Sequence, residues 1–317
     1  MAEDMRRIII CDFDETITDR DTIGILGQLP YAVKPGFEPK WSHFTDTYME
    51  NYRKFLEDPV LLECDHNLGR RLPLLPSNDG DITRSNFQCL FKDEIRYQTD
   101  ARNLEISSTS EMAKYGLFAG LTHSQVSHFV KEKMREHSFS LRNGFRDFMS
   151  SISAPQFFIV SVNWSAEFIR GAVGEELVDF DNICCNQLVS NGDTFTGQFS
   201  NQLLTGSDKV SFIEKIFKEQ CCRDIEQQYW YIGDSETDIL ALLHPEVNGV
   251  LLIDPELKEQ KFRKLTTEVL GIDESLVNRF ISSKEVGWLR CYVKNQENSL
   301  YLAKSWFDLT NINTNTD

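Results

Sequence analysis

The chain has 317 residues, of which 41% are hydrophobic and 26% charged, so it can bury the core of one large domain or of two smaller ones. Its 49 acidic and 33 basic residues give a formal net charge of −16, which argues against non-specific binding to nucleic acid or to an anionic membrane. No apolar run approaches the ~20 residues of a membrane span, and residues 1–7 lead into a strand without a secretory signal.

The first predicted strand covers residues 6–12 and ends on two carboxylates, Asp12 and Asp14. A packed core disfavours two acids there, and a surface strand does not need the apolar run over 8–11 that precedes them. At the end of a strand in an open α/β sheet, both residues can converge on one metal ion. Asp12 can then act as nucleophile and Asp14 as proton carrier, with Asp14 offering its backbone carbonyl to Mg²⁺. The alternative is a capped turn with two solvated acids.

Residues from about 18 to 140 are predicted to be largely helical. Apolar residues recur at helical spacing over 46–57 and 124–136. Between them, a polar stretch over 72–85 that contains Pro and Asn predicts a loop.

From residue 141 onward, strands and helices alternate. We predict helices over 145–151, 166–171 and 209–217, a turn at 191–193, and strands over 156–161, 183–188, 229–234 and 250–254. This alternation implies an α/β fold with a doubly wound parallel sheet that also contains the first strand. We therefore assign residues 1–17 and 141–317 to an α/β core and residues 18–140 to an inserted helical cap domain. A frayed polar tail is expected over 311–317.

Two polar positions inside this core suggest phosphate binding. Ser161 ends a strand, and its hydroxyl can bind phosphate oxygens together with the backbone N–H groups of Val162 and Asn163. Lys209 begins a predicted helix, where its ammonium can neutralise a phosphate and a nucleophilic carboxylate together. Taken alone, a strand-ending serine is more often an ordinary cap, and a lone lysine is more often a solvated charge.

The last motif follows the strand over 229–234. Asp234 ends this strand, and Asp238 lies four residues later, so that both can share one face of the following turn. We expect Asp234 to ligate a metal directly and Asp238 to ligate it or to orient a water. Packing gives no reason for a Gly-Asp pair at the end of an apolar strand.

In order and combination these motifs resemble the haloacid dehalogenase superfamily of phosphotransferases: D-x-D-x-T at 12–16, a strand-ending serine, a lysine, and G-D-x-x-x-D at 233–238. The insertion after the first motif resembles the helical cap of the phosphoserine-phosphatase-like branch. The resemblance implies a Rossmann-like core that binds Mg²⁺ through Asp12, Asp14, Asp234 and Asp238. It also implies that Asp12 forms an aspartyl phosphate, while Asp14 protonates the leaving group and then activates water. Ser161 and Lys209 would stabilise the transferring oxygens.

The predicted substrate depends on Asp21 and Trp164. In the phosphoserine-phosphatase-like branch an acid shortly after the first motif contacts the substrate amine, and Asp21 matches that position. The stretch S-V-N-W-S at 161–165 departs from the Ser-Gly-Gly type and disfavours phosphoserine. With the stretches 231–235 and 238–243, it is similar to the phosphatase domain of plant thiamine-phosphate phosphatases. Trp164 and Asp21 could hold a thiazolium or quaternary ammonium. The alternatives are core packing for Trp164 and a solvated turn for Asp21.

The sequence therefore predicts a cytoplasmic Mg²⁺-dependent phosphatase for a small-metabolite ester, with thiamine monophosphate, phosphocholine and phosphoethanolamine as candidates. No nucleic-acid or membrane partner is expected. The alternatives are a phosphotransferase or phosphomutase with the same chemistry, and a non-catalytic binding protein on the same fold. The eight cysteines include the pairs at 184–185 and 221–222 and are interpreted as reduced thiols, since no C-x-x-C spacing for zinc occurs.

Overall fold

The structure is a computed structural model that describes residues 6–57, 70–75, 87–151, 156–220 and 227–313. Cys221 and Cys222, most of the predicted loop over 72–85, and the end of the predicted tail over 311–317 lie outside the described residues. None of the described helices has both the length and the apolar character that a membrane crossing requires.

The first part of the described chain forms one strand and six helices. In chain order these are β1 (Arg6–Cys11), α1 (Ile23–Leu26), α2 (Leu29–Val33), α3 (Trp41–Leu56), α4 (Phe87–Lys114), α5 (His123–Arg135) and α6 (Phe145–Ser151). The helices predicted over 46–57 and 124–136 are confirmed as parts of α3 and α5, which end one residue earlier, at Leu56 and Arg135. The Thr122 hydroxyl caps α5 by accepting from the Gln125 N–H, and the Gln125 side-chain oxygen accepts from the Thr122 N–H.

The second part supplies most of the sheet. In chain order it contains β2 (Gln156–Val160), α7 (Ala166–Val173), β3 (Ile183–Cys184), β4 (Leu188–Asn191), β5 (Thr194–Phe199), α8 (Gly206–Gln220), β6 (Gln227–Gly233), α9 (Ile239–Leu243), β7 (Val247–Leu252), α10 (Pro255–Arg263), α11 (Glu274–Ser282), β8 (Trp288–Val293) and β9 (Ser299–Ala303). Short 3₁₀ turns cover Phe180–Asn182, Glu236–Asp238 and Trp306–Asn313, and a π-helical segment covers Lys264–Leu270.

The seven-stranded sheet has the order β3-β2-β1-β6-β7-β9-β8, in which every neighbouring pair is parallel except β8–β9. β1 pairs with β2 on one side and with β6 on the other, so that Ile9 lies opposite both Phe157 and Trp230. The predicted α/β class with a doubly wound parallel sheet is confirmed. Because the strands are parallel, the carboxyl ends of β1, β2 and β6 lie side by side.

Apolar side chains cover both faces of the sheet. Alternate residues of β1 point to opposite sides: Ile9 and Cys11 join one buried cluster, and Ile8 and Ile10 join the other. The helices α6 and α7 pack on the first face, and α8, α9 and α10 pack on the second. β1 is therefore apolar on both faces, which explains its uninterrupted run of isoleucines.

The helices between β1 and α6 pack mainly onto the first face of the sheet, although Phe87 at the start of α4 joins the buried cluster of the second face. Phe118 and Val126, from this inserted segment, belong to the same buried cluster as Phe168 of α7. The ring of Phe118 lies 6.1 Å from that of Trp164, edge to face. Apolar packing is thus continuous between the insertion and the sheet, and the assignment of residues 18–140 to a separate cap domain stays a prediction.

The predicted strand over 183–188 is wrong beyond its second residue. After Cys184 the backbone leaves the sheet, because Asn186 N–H donates to the Asn163 carbonyl (2.9 Å) and Leu188 N–H donates to the Trp164 carbonyl (2.9 Å). Leu188 instead begins a hairpin of β4 and β5, which turns near the predicted 191–193. The sequence reasoning also missed β8 and β9.

Candidate active site

The polar motifs meet at the carboxyl edge of the three central strands. Asp12 follows β1, Ser161 follows β2, and Asp234 follows β6. Lys209 comes from the first turns of α8, the helix that packs beside these strands. All four side chains are at least 95% buried. Burial of polar and charged groups has a desolvation cost unless they find partners in the interior.

Lys209 joins two of the aspartates. Its Nζ lies 3.1 Å from Asp12 Oδ1 and donates to Asp238 Oδ1 at 2.7 Å. Burial alone would lower the pKa of this fully buried lysine, but the charges of Asp12 and Asp238 outweigh burial and raise that pKa above its ordinary value. The ammonium is therefore held charged beside Asp12.

Asp238 holds this arrangement in place. Its Oδ1 accepts from Lys209 and from the Tyr231 hydroxyl (2.6 Å), and its Oδ2 accepts from the Ser235 hydroxyl (2.7 Å). The backbone N–H groups of Asp234 and Ser235 also donate to Oδ2, at 3.0 and 2.9 Å. Although burial raises its pKa, these donors and the lysine charge lower it overall. Asp238 is thus a fixed anion that orients Lys209.

The carboxylates offer a place for a divalent cation. One oxygen each from Asp12, Asp234 and Asp238 lies within 4.8 Å of the others, and all three residues are buried. Burial, followed by the charge of Asp238, raises the pKa of Asp12, and burial raises the pKa of Asp234 to about 6. Asp12 Oδ1 accepts no hydrogen bond in good geometry. A hard cation such as Mg²⁺ prefers such oxygen donors and would relieve their repulsion, so the residues fit it.

Asp234 has a second set of partners that the sequence reasoning missed. Its Oδ1 accepts from the Thr16 hydroxyl (2.7 Å), and its Oδ2 pairs with Lys261 of α10. Lys261 also pairs with Glu15, whose other oxygen lies 3.0 Å from Lys258. Thr16 belongs to the D-x-D-x-T motif, whereas Lys258 and Lys261 lie neither at a strand end nor in a recognised motif. The ammonium of Lys261 therefore lies against Asp234, one of the three clustered carboxylates.

Asp14 is not one of the three clustered carboxylates, and its side chain has its own partners. Its Oδ1 accepts from the backbone N–H of Thr22 (2.8 Å) and from the Thr22 hydroxyl (2.5 Å), and its Oδ2 accepts from Asn163 Nδ2 (2.9 Å). Burial first, and then the charge of Asp21, raise the pKa of Asp14 to about 6. A carboxyl group with such a pKa can exchange a proton near neutral pH.

The loop after β2 is ordered by its own polar groups. Ser161 Oγ accepts from the Asn163 N–H (3.2 Å), and Asn163 Oδ1 accepts from the N–H groups of Trp164 (2.7 Å) and Ser165 (3.3 Å). Asn163 therefore links this loop to Asp14 through its amide nitrogen. The Ser161 N–H donates to the Cys184 carbonyl (2.9 Å), which fixes the serine at the strand end.

A cavity of about 470 Å³ opens beside this loop, between the sheet and the inserted helices. Val162 forms part of its wall next to the strand end, and Asp21 and Trp164 both line it. The Asp21 carboxylate accepts from the Ile23 N–H at 2.7 Å. Trp164 is 9% exposed and packs against Trp41, with ring centroids 6.4 Å apart, so this indole both packs in the core and faces the cavity.

Comparison with known proteins gives relatives along nearly the full chain, although no family model matches it. The chain is 39% identical over 320 residues to Cold tolerance protein 1 of Saccharomyces cerevisiae, covering 97% of this chain and 98% of that protein. It is 25% identical over 298 residues to a CTO1 family protein of Schizosaccharomyces pombe, covering 88% and 94%. A phosphoserine phosphohydrolase-like protein from Francisella tularensis has a TM-score of 0.46 at 12% identity, covering 97% of this chain and 100% of that chain. The two yeast names state no reaction.

Proposed function

The chain belongs to the CTO1 family, and from that starting point we propose that it is a Mg²⁺-dependent phosphatase of the haloacid dehalogenase type, which hydrolyses a small-metabolite phosphomonoester. One observation carries the proposal: Lys209 is fully buried with its ammonium between Asp12 and Asp238, beside Asp234. Packing gives no reason to bury three aspartates and a lysine in contact, because each buried charge has a large desolvation cost. Phosphoryl transfer through an aspartyl phosphate uses a carboxylate nucleophile together with cations that neutralise the phosphate, which this set can supply.

In the proposed first step, an Asp12 carboxylate oxygen attacks the phosphorus in line with the ester oxygen. A bond from Asp12 to phosphorus forms as the bond to the ester oxygen breaks, which gives an aspartyl phosphate and an alcohol. Asp14, protonated at the start, gives its proton to the leaving oxygen. Its pKa of about 6 supports this role, because the proton is neither held too tightly nor absent near neutral pH.

In the proposed second step, Asp14 takes a proton from water as the water oxygen attacks the phosphorus. The bond to Asp12 breaks, inorganic phosphate leaves, and both aspartates return to their starting states. Asp12, Asp234 and the backbone carbonyl of Asp14 would hold Mg²⁺, and Asp238 would ligate it or orient a water bound to it. When bound, the ion supplies positive charge to the transferring oxygens. Lys209, whose Nζ lies 3.1 Å from Asp12 Oδ1, and the loop N–H groups of Val162 and Asn163 would bind those oxygens, with the Asn163 N–H exchanging its bond to Ser161 Oγ for one to the phosphate.

Two of the described cysteines, Cys11 and Cys185, do not compete with this chemistry. Cys11 and Cys185 are buried, and burial raises the pKa of both thiols well above the ordinary value. Because the thiolate is the nucleophile, neither residue is poised to react at neutral pH. Buried, reduced thiols support the cytoplasmic location that we propose for the enzyme.

The test is release of phosphate from p-nitrophenyl phosphate with and without Mg²⁺. We expect turnover that EDTA abolishes and that Asp12→Asn reduces by at least about a thousandfold, as expected for loss of a nucleophile. Asp254→Asn is the matched control, because Asp254 follows the neighbouring strand β7 but caps α10 through the Glu256 N–H (2.9 Å). Full activity in Asp12→Asn, or no metal-dependent turnover in the wild type, would refute the proposal. Metal binding without turnover would favour a binding protein.

A further inference from the structure

The cavity beside the loop after β2 is lined by aromatic rings and carboxylates. Four aromatic residues contribute to its wall: Trp41, Phe44, Tyr48 and Trp164. Two acids, Asp21 and Glu105, also line it, and among the described lining residues there is no lysine, arginine or histidine. A neutral or anionic leaving group would gain nothing from these acids, whereas a cation would be attracted by the acids and the ring faces alike.

Two long helices place these groups. On α3, Trp41, Phe44 and Tyr48 are spaced by three and four residues, so they lie on one helical face. On α4, Glu105 shares its face with Ser108 and Met112 at similar spacing. The two faces oppose each other across the cavity. The inserted helices thus build one wall, and Trp164 and Val162 build the wall next to the proposed phosphate site.

Glu105 is a carboxyl group on the wall of this cavity. It lies in the middle of α4, is only partly exposed, and accepts a hydrogen bond from the Tyr48 hydroxyl at 2.8 Å. Burial raises the pKa of this carboxyl group, and the Tyr48 hydrogen bond only partly offsets the effect. The lining supplies no basic side chain as a counter-charge for it. A carboxylate kept in such a cavity is complementary to a ligand cation.

We propose that this cavity binds a cationic group, an alkylammonium, quaternary ammonium or thiazolium, on the leaving-group side of the substrate. Glu105 is the specificity-determining residue, Asp21 adds negative charge, and the faces of Trp41 and Trp164 supply cation–π attraction. This inference rests on the proposed phosphatase function, since it takes the ester oxygen to lie at the Val162 wall. A volume of about 470 Å³ suits a small organic ligand.

Two substrates of equal shape, one cationic and one neutral, show the effect of the positive charge separately from that of shape. Phosphocholine and 3,3-dimethylbutyl phosphate differ only in a carbon that replaces the quaternary nitrogen. We expect the wild type to prefer phosphocholine by about tenfold or more in kcat/KM, because only the charged group gains from the acid and the rings. Thiamine monophosphate and its neutral thiophene analogue form a larger pair with the same expectation. Glu105→Gln keeps the shape and should reduce the preference to about twofold.

Glu111→Gln is the matched control. Glu111 lies on the same helix and loses the same charge, but it pairs with His43 (2.9 Å) and Lys114 (3.1 Å) and does not line the cavity. The control should keep the wild-type preference. If neither pair shows a preference for the cation, or if Glu105→Gln and Glu111→Gln behave alike, the inference is overturned.

A binding measurement separates this inference from the proposed reaction. Choline or thiamine should quench tryptophan fluorescence with EDTA present, because Trp41 and Trp164 line the cavity, and their neutral analogues should bind at least about fivefold more weakly. Selective binding of a cation without any turnover would support the cavity assignment while refuting the phosphatase. Turnover of p-nitrophenyl phosphate without selective binding of either cation would refute the cavity assignment alone.

Discussion

The replacement Asp238→Asn should destabilise the protein strongly even without metal or substrate. The Asp238 carboxylate accepts from Lys209, the Tyr231 hydroxyl, the Ser235 hydroxyl and two backbone N–H groups. An asparagine must place its NH₂ group against the donors to Oδ1 or against those to Oδ2, where it cannot accept a hydrogen bond. It also leaves the buried Lys209 ammonium with Asp12 as its remaining anionic partner. Removing one partner of a buried ion pair typically costs about 3–5 kcal/mol.

This loss corresponds to a measurable change in melting temperature. With an unfolding entropy of roughly 2.1 cal/mol/K per residue, 317 residues give about 0.67 kcal/mol/K. The melting temperature followed by circular dichroism in EDTA should therefore fall by about 5–8 °C. The double variant Asp238→Asn with Lys209→Met should regain part of this loss, because it removes the ammonium together with its partner.

Asp208→Asn, next to Lys209 on α8, provides the comparison. Its carboxylate accepts from the N–H groups of Leu204 (2.8 Å) and Thr205 (3.1 Å) and pairs with Arg102, but it is partly exposed. Losing such a partly exposed hydrogen-bonded carboxylate should cost about 1 kcal/mol, or roughly 1.5 °C. If Asp238→Asn lowers the melting temperature no more than Asp208→Asn does, Asp238 does not hold the site as argued.

Three further outcomes are expected. Asp14→Asn should lower kcat by about 10²–10⁴ for an alkyl phosphate and far less for p-nitrophenyl phosphate, whose leaving group needs no proton; equal losses would refute the acid role. Burial, followed by the charge of Lys294, lowers the pKa of His244 to about 4 from 6.5, so the unfolded chain takes up this proton first as the pH falls. Between pH 7 and 5 the wild type should therefore lose about 2 kcal/mol that His244→Gln does not lose, as measured by urea unfolding. Lys261→Met should tighten Mg²⁺ binding by roughly threefold to tenfold in calorimetry, because it removes a cation from Asp234, whereas Lys264→Met should not.

The residues at the carboxyl ends of the central strands were predictable because each is identified by its neighbours in the sequence. An apolar run followed directly by an acid or a serine marks the end of a buried strand, and parallel strands bring such ends together. Asp12, Ser161 and Asp234 were found in this way. Lys209 was identified only through the order of the motifs, since a lysine in a helix carries no local sign of burial.

Groups whose roles depend on contacts between distant segments were not predictable. Glu105 and Tyr48 are ordinary residues of amphipathic helices until α3 and α4 are placed face to face. Lys261 looks like a solvated helix residue until α10 packs beside Asp234. The predicted strand over 183–188 was wrong beyond Cys184 for the same reason. The backbone there donates to the carbonyls of Asn163 and Trp164, and the local sequence pattern gives no information about those contacts.

The central place of β1 in the sheet has a consequence for synthesis of the chain. β1 is made first, yet its partners are residues 156–159 and 227–232. At a translation rate of about 5–20 residues per second, the second partner emerges on the order of 10–40 s after β1. During that interval Ile8, Ile9 and Ile10 lack the neighbours that bury them in the finished sheet. A nascent chain stalled before residue 227 should therefore bind chaperones that recognise exposed apolar strands, and the full-length chain, which also contains α9 and α10, should not.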